Sequence, residues 1–209
     1  MDSIHFEDIP FEQIVNQASV PDFPMDRQGT YTRGELSSFP AYMHVELVNG
    51  YLITPPFVPY IHQCIITELL YQWTQYIKEY ELPIKAVTAP FYFSRRADDR
   101  TVLLPDLAVV RHPGSILCPD MNVLPYFTVE VTTLGTNCLD HIVKTRIYKD
   151  WGIREYWIIN PQSSYIETHL FQDPEPEIIE TYPFGTCIPV RSNDGLSIDT
   201  SEFPVEQHT

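Results

Sequence analysis

The chain has 209 residues and a mass of 24.3 kDa, room for one domain with extensions and tight for two independent cores. Hydrophobic residues at 44% and aromatics at 13% can fill an interior, which excludes wholesale disorder. The formal net charge of -15 lies in the flanks: residues 1–26 hold six acids and no Lys or Arg, and residues 155–209 hold ten acids against Arg191 alone. That distribution argues against tight non-specific binding to a polyanion, while leaving a polyanionic ligand open.

No apolar run approaches the roughly 18 residues that span a bilayer, and the first residues lack the basic and apolar regions of a signal peptide. Cys64, Cys118, Cys138 and Cys187 lie far apart without C-x-x-C pairing. Reduced thiols in a cytoplasmic protein, with no membrane partner and no structural zinc, are therefore expected.

In chain order, residues 1–30 carry Pro10, Pro21 and Pro24 between short apolar stretches and read as an N-terminal extension. Residues 31–200 read as a single domain, and 201–209 as a tail. Thr32-Arg33-Gly34-Glu35 fits a capping box opening a short helix limited by Pro40. Asn49-Gly50, between the apolar alternations of 45–53, predicts a hairpin. Pro59 to Glu81 predicts the longest helix, with Ile66, Leu69, Trp73, Tyr76 and Tyr80 along one face.

Strands are expected at 84–94 and 102–110 around a charged turn, then a Pro-rich connection and a strand Phe127–Thr132. A helix over 139–151 presents Leu139, Val143, Ile147 and Trp151, with Gly152 as its stop. Arg154–Asn160 is a further strand, and short strands and turns follow. This order predicts an α/β fold, a central mixed sheet flanked by helices. There is no Gly-rich phosphate loop, G-x-S-x-G elbow or H-E-x-x-H, which removes the P-loop, α/β-hydrolase and zincin readings.

Two acids sit inside apolar strands, where an ionised side chain is costly without a partner: Asp106 in Leu103–Val110 and Glu130 in Phe127–Thr132. Glu46 opens the hairpin strand. If these strands are neighbours, the acids converge, and convergent acids repel unless a cation neutralises them. Oxygen donors suit a hard dication, Mg²⁺ or Mn²⁺; salt-bridged or sheet-edge acids are the plainer alternative. Glu130 lies roughly 10 Å below its sheet edge at about 3.3 Å per residue, and Lys144, on the returning helix, roughly 6 Å below it. Lys144 can then reach the acids if its face points inward. Otherwise it is a solvated lysine paired with Asp140.

Pro105-Asp106 followed by Glu130-Val131-Thr132 resembles the PD-(D/E)XK signature of the restriction-endonuclease-like superfamily. Thr132 stands where the lysine is expected, and Lys144 stands where superfamily members carry a lysine migrated to the following helix. A closer likeness runs over most of 31–200. It rests on Glu46–Leu52, His62, Pro105–Val110, Val129-Glu130-Val131, Asp140 with Lys144 and Tyr148, and Gly152–Ile159. Together these resemble the Uma-two family of restriction-endonuclease-like nucleases.

The resemblance implies a PD-(D/E)XK core, a divalent metal, often a homodimer, and DNA as substrate by superfamily analogy. The expected reaction is metal-dependent phosphodiester hydrolysis. Asp106, Glu130 and the Val131 carbonyl would hold Mg²⁺ (or Mn²⁺), with Glu46 a further ligand and Lys144 an electrostatic stabiliser that stays protonated. His62 is a lesser contributor; His44, His112 and His141 are assigned no role. Tyr156 and Trp157 are assigned to the core rather than to base stacking. The rival expectation is a catalytically inactive binding or assembly module on the same scaffold.

Overall fold

The structure is a computed structural model and describes residues 10, 14, 27–36, 39, 44–54, 57–111, 124–172 and 175–205. Asn49 and Gly50 both adopt positive φ, 50° and 86°. That is the backbone a two-residue turn needs to follow the natural strand twist. It joins β1 (Glu46–Val48) to β2 (Tyr51–Ile53) as expected. Upstream, the Glu35 carboxylate accepts the Thr32 N–H at 2.9 Å, forming the reaching-back half of the capping box at α1 (Arg33–Leu36). Pro59 caps α2 (Tyr60–Glu79). Its buried face is His62, Ile65, Ile66, Leu69, Trp73 and Ile77, whereas Tyr80 is 56% exposed. The 3-and-4 spacing was right, but its phase at the C-terminal end belongs to Ile77.

The two long strands expected at 84–94 and 102–110 are each broken. β3 (Ile84–Thr88) is followed by the cis Ala89-Pro90 bond and then β4 (Phe93–Ser94). β5 (Val102–Leu103) is followed by Leu104-Pro105-Asp106 and then β6 (Leu107–Arg111). A proline lacks the N–H that a central ladder requires, so the chain leaves one sheet and enters another there. β4 and β5 pair with each other, and β5 pairs with β1, closing a small antiparallel sheet in the order β2-β1-β5-β4.

The large sheet adds β7 (Phe127–Val131), β8 (Glu155–Asn160), β9 (Tyr165–Leu170) and β10 (Ile178–Pro183). Its order is β10-β9-β8-β7-β6-β3. Only β7 and β8 are parallel, so the sheet is mixed, as expected. Parallel neighbours need a crossover. It is supplied by a π-helix, Leu139–Lys144, running directly into α3 (Thr145–Trp151). Gly152 at φ 77° ends it, its N–H reaching the carbonyls of Tyr148 and Lys149. A final hairpin pairs β11 (Cys187–Pro189) with β12 (Ser197–Asp199).

Alternation along the central strands sorts the interior into two layers. Val129, Val131, Trp157 and Ile159 pack against α2 and the final hairpin, with Trp73 and Trp157 both on Phe127 at ring separations of 5.0 and 5.4 Å. Ala108, Val110, Tyr156 and Ile158 face the π-helix, α3 and the small sheet. Ile14, from the N-terminal stretch, is 2% exposed and belongs to this second layer. Tyr156 and Trp157 are fully buried core, as expected. Among the described residues no helix is long and apolar enough to cross a membrane. Most of the Pro-rich connection expected at 111–125 (residues 112–123, with His112 and Cys118) and most of the extension lie outside the described residues.

Candidate functional site

Because Val129 and Val131 face the α2 layer, Glu130 between them faces the other layer, where it is 4% exposed. Across from it, Asp140, Lys144 and Tyr148 follow one another at four-residue steps and share the buried face of the crossover. The π-helical register changes to α at Thr145, whose hydroxyl donates to the Asp140 carbonyl at 3.0 Å. Such widened turns recur at functional sites. Lys144 is 4% exposed, which overturns the solvated-lysine alternative.

The ammonium is surrounded by acids. Lys144 Nζ lies 2.9 Å from Glu130 Oε1, 3.1 Å from Glu46 Oε2 and 3.5 Å from Asp140 Oδ1. Glu46 comes from β1, and its other oxygen accepts the Leu104 N–H at 2.7 Å, where the chain leaves β5 for the large sheet. Tyr148 donates its hydroxyl to Glu130 at 2.7 Å. Asp106 stands at the mouth of β6, where its Oδ2 accepts the Val131 N–H at 2.8 Å and lies 3.1 Å from His62 Nε2. The site therefore draws on both sheets, the crossover and α2. All four candidates from the sequence meet there, and His62 joins them.

One cation cannot neutralise this many acids. Burial pushes Glu130 well above the ordinary carboxylate range, against the pull of Lys144 and helped by repulsion from Asp106, Asp140 and Glu46. Burial also raises Glu46 and Asp140. Burial alone would lower Lys144, but Glu130, Glu46 and Asp140 outweigh it and hold the amine well above its usual value. The lysine is thus a fixed positive charge and no proton acceptor.

The group opens into a cavity of about 430 Å³ whose walls include Glu46, His62, Asp106, Glu130, Asp140 and Lys144. That volume suits a small-molecule-sized guest. His44, given no role from sequence, also lines it, whereas His141 is turned to the Asn137 carbonyl at 2.9 Å. Thr132, in the usual lysine place, is buried, its hydroxyl 3.4 Å from that of Thr136 at the start of the crossover, and hydrogen bonds from both oppose the rise that burial imposes on Asp140.

Among the described residues no group of three His, Cys, Asp or Glu side chains is gathered to hold a metal by side chains alone. The donors at the cavity nonetheless fit a hard dication in kind. They are carboxylate oxygens in excess of positive charge, with the Val131 backbone beside Asp106. From the sequence, Asp140 is a competing partner for Lys144 and, with Tyr148, part of the family likeness, and neither is assigned a role in the site. The Asp-x-x-x-Lys-x-x-x-Tyr spacing held the signal, since four-residue steps put all three on one helical face.

A family model described as "Uma2: Putative restriction endonuclease" matches residues 33–200. Among solved structures the chain is similar to "a putative nuclease belonging to DUF820" from Anabaena variabilis ATCC 29413, with a TM-score of 0.56. Identity is 17%, and the match covers 77% of this chain and 89% of that one, a likeness of fold. No curated protein matches the chain.

Proposed function

The chain belongs to the Uma2 family, and on that premise we propose that it is a divalent-metal-dependent endonuclease hydrolysing phosphodiester bonds, those of DNA. The observation that supports this most is the convergence of Lys144 with Glu46, Glu130 and Asp140 beside the cavity that Asp106 lines. Residues 31–200 form the working unit in this reading.

Asp106 and Glu130, with the Val131 carbonyl, are the groups to hold Mg²⁺ or Mn²⁺, and Glu46 serves as a further ligand through water. A dication bound there would lower the pKa of its water and offset charge on the phosphoryl oxygens. Lys144 would stabilise those same oxygens as a cation, an effect that its burial strengthens. Glu46 and Asp140 hold the amine in place through the contacts above. Tyr148 fixes one rotamer of Glu130, leaving its second oxygen for the cavity side. His62 steadies Asp106 from α2. Like the family's implied behaviour, this reading includes a homodimer and a cytoplasmic setting.

The test is cleavage of single- and double-stranded DNA with Mn²⁺, comparing the protein with Asp106→Ala and Lys144→Ala. Each substitution should lower the rate by at least about a hundredfold, the scale of removing one preorganised charge. Activity surviving both would refute the site. Thr132 in the lysine's usual place favours the second reading, an inactive nuclease-fold module. A Mn²⁺ titration separates the two, because an inert module gives no binding that depends on Asp106 and Glu130.

A further inference from the structure

The rim of the cavity differs from its floor. Phe57 lines the cavity yet is 94% exposed, and Tyr60, at the start of α2, is 86% exposed. Tyr60 lines a shallower depression, and Gln63 lines both hollows, so the two adjoin. Leu134, next to the cavity-lining Thr133, is 84% exposed, and Phe91, next to the cavity-lining Pro90, is 39% exposed. Single exposed apolar residues are ordinary; two nearly bare aromatic rings lining adjoining hollows are not.

The charge around that mouth is as informative. Lys144 is the one Lys or Arg among the described residues lining the cavity, and it is buried among acids. Duplex DNA is gripped chiefly through its phosphates by Lys and Arg, and this rim offers none. A cavity of about 430 Å³ has room for a nucleotide-sized guest. Unpaired bases also stack on exposed aromatic rings whatever their sequence, an affinity that a duplex, its bases paired and stacked inside, does not gain.

Resting on the nuclease reading above, we propose that the substrate is an unpaired stretch of nucleic acid, its bases stacked on Phe57 and Tyr60 while its backbone enters the cavity. Specificity for unpaired strand then comes from the rim, and the phosphodiester chemistry from the floor.

The test measures binding of three dye-labelled probes of equal length without metal: single-stranded DNA, the same strand in a duplex, and an abasic strand carrying the same phosphates. The single strand should bind about a hundredfold more tightly than either other probe, about tenfold per stacked base. Phe57→Ala and Tyr60→Ala should each reduce that advantage about tenfold. Both residues are almost wholly exposed, so the variants should melt with the native protein. Equal affinity for the abasic strand or the duplex overturns the proposal. So does a dimer that dissociates on either substitution in light scattering, which would make the rim a contact between copies. Ring-dependent binding without cleavage by Mn²⁺ would keep this inference and sink the nuclease reading. Cleavage of duplex indifferent to Phe57 and Tyr60 would do the reverse.

Discussion

Two buried glutamates, on neighbouring parallel strands, solve the same problem in different ways. Glu155 at the start of β8 is 1% exposed and meets neutral, rigid donors. They are the Trp157 indole N–H at 2.7 Å and the backbone N–H groups of Arg191 and Ser192 at 3.2 and 2.6 Å. Glu130 near the end of β7 is 4% exposed and shares one ammonium with two other acids, supplemented by a single tyrosine hydroxyl. The first arrangement saturates its carboxylate and ties the 191–192 segment to the sheet. The second leaves surplus negative charge beside an opening. One buried acid is surrounded by donors, and the other, beside the cavity, is kept short of them.

The largest effect should come from removing the shared cation. Lys144→Met leaves three buried carboxylates unpaired and should destabilise the fold by about 3–5 kcal/mol near neutral pH. The pH response distinguishes this from simple loss of packing. A carboxyl whose folded pKa lies above its unfolded value favours the folded state in acid and loses that contribution as pH rises through the folded pKa. Glu130, Glu46 and Asp140 are all raised by burial, so the variant's melting temperature should climb as pH falls from about 8 to about 5. A flat profile would mean that the acids are not strained.

Next in size, Glu155→Ala orphans the donors that converge on it and should lower stability by about 2–4 kcal/mol in chemical denaturation while Mn²⁺-dependent cleavage persists. If cleavage vanished with the fold intact, the division between the two glutamates would fail.

The smallest effect concerns a third pattern, the imidazole of His169 held between Glu177 at 2.6 Å and Glu167 at 2.7 Å. Burial would lower its pKa, but the hydrogen bonds and charges of Glu167 and Glu177 prevail and raise it. Its contribution is fully present below the unfolded value near 6.5 and fades as pH rises through the higher folded value. Replacing it in His169→Gln should cost about 1 kcal/mol or less at pH 6 and flatten the stability profile above that. Melts recorded between about pH 6 and pH 9 would show it.

Local chemistry was legible in the sequence where one residue dictates one conformation. Asn49-Gly50 gave its turn, Gly152 its helix stop, and Pro59 the mouth of α2. The acids that converge at the cavity stood out because an acid in an apolar strand is conspicuous, and Lys144 because the rise of the returning helix brings it level with Glu130; which way its face points the sequence left open. The division of 84–94 and 102–110 between two sheets was not, since a proline announces a break without saying where the chain goes next. Nor was the π-helical turn, or the hold of Glu155 on Arg191 and Ser192, a contact 36 or 37 residues distant in sequence that no local pattern encodes.

β6 runs away from Asp106 and β7 runs back toward Glu130, Val109 facing Phe127 near the remote end of the pair. Arg111 and Phe127, the strand ends that the intervening chain joins, therefore lie at the opposite end of the pair from the two carboxylates proposed to hold the metal. A peptide grafted between those two ends should leave the separation of the acids unaltered.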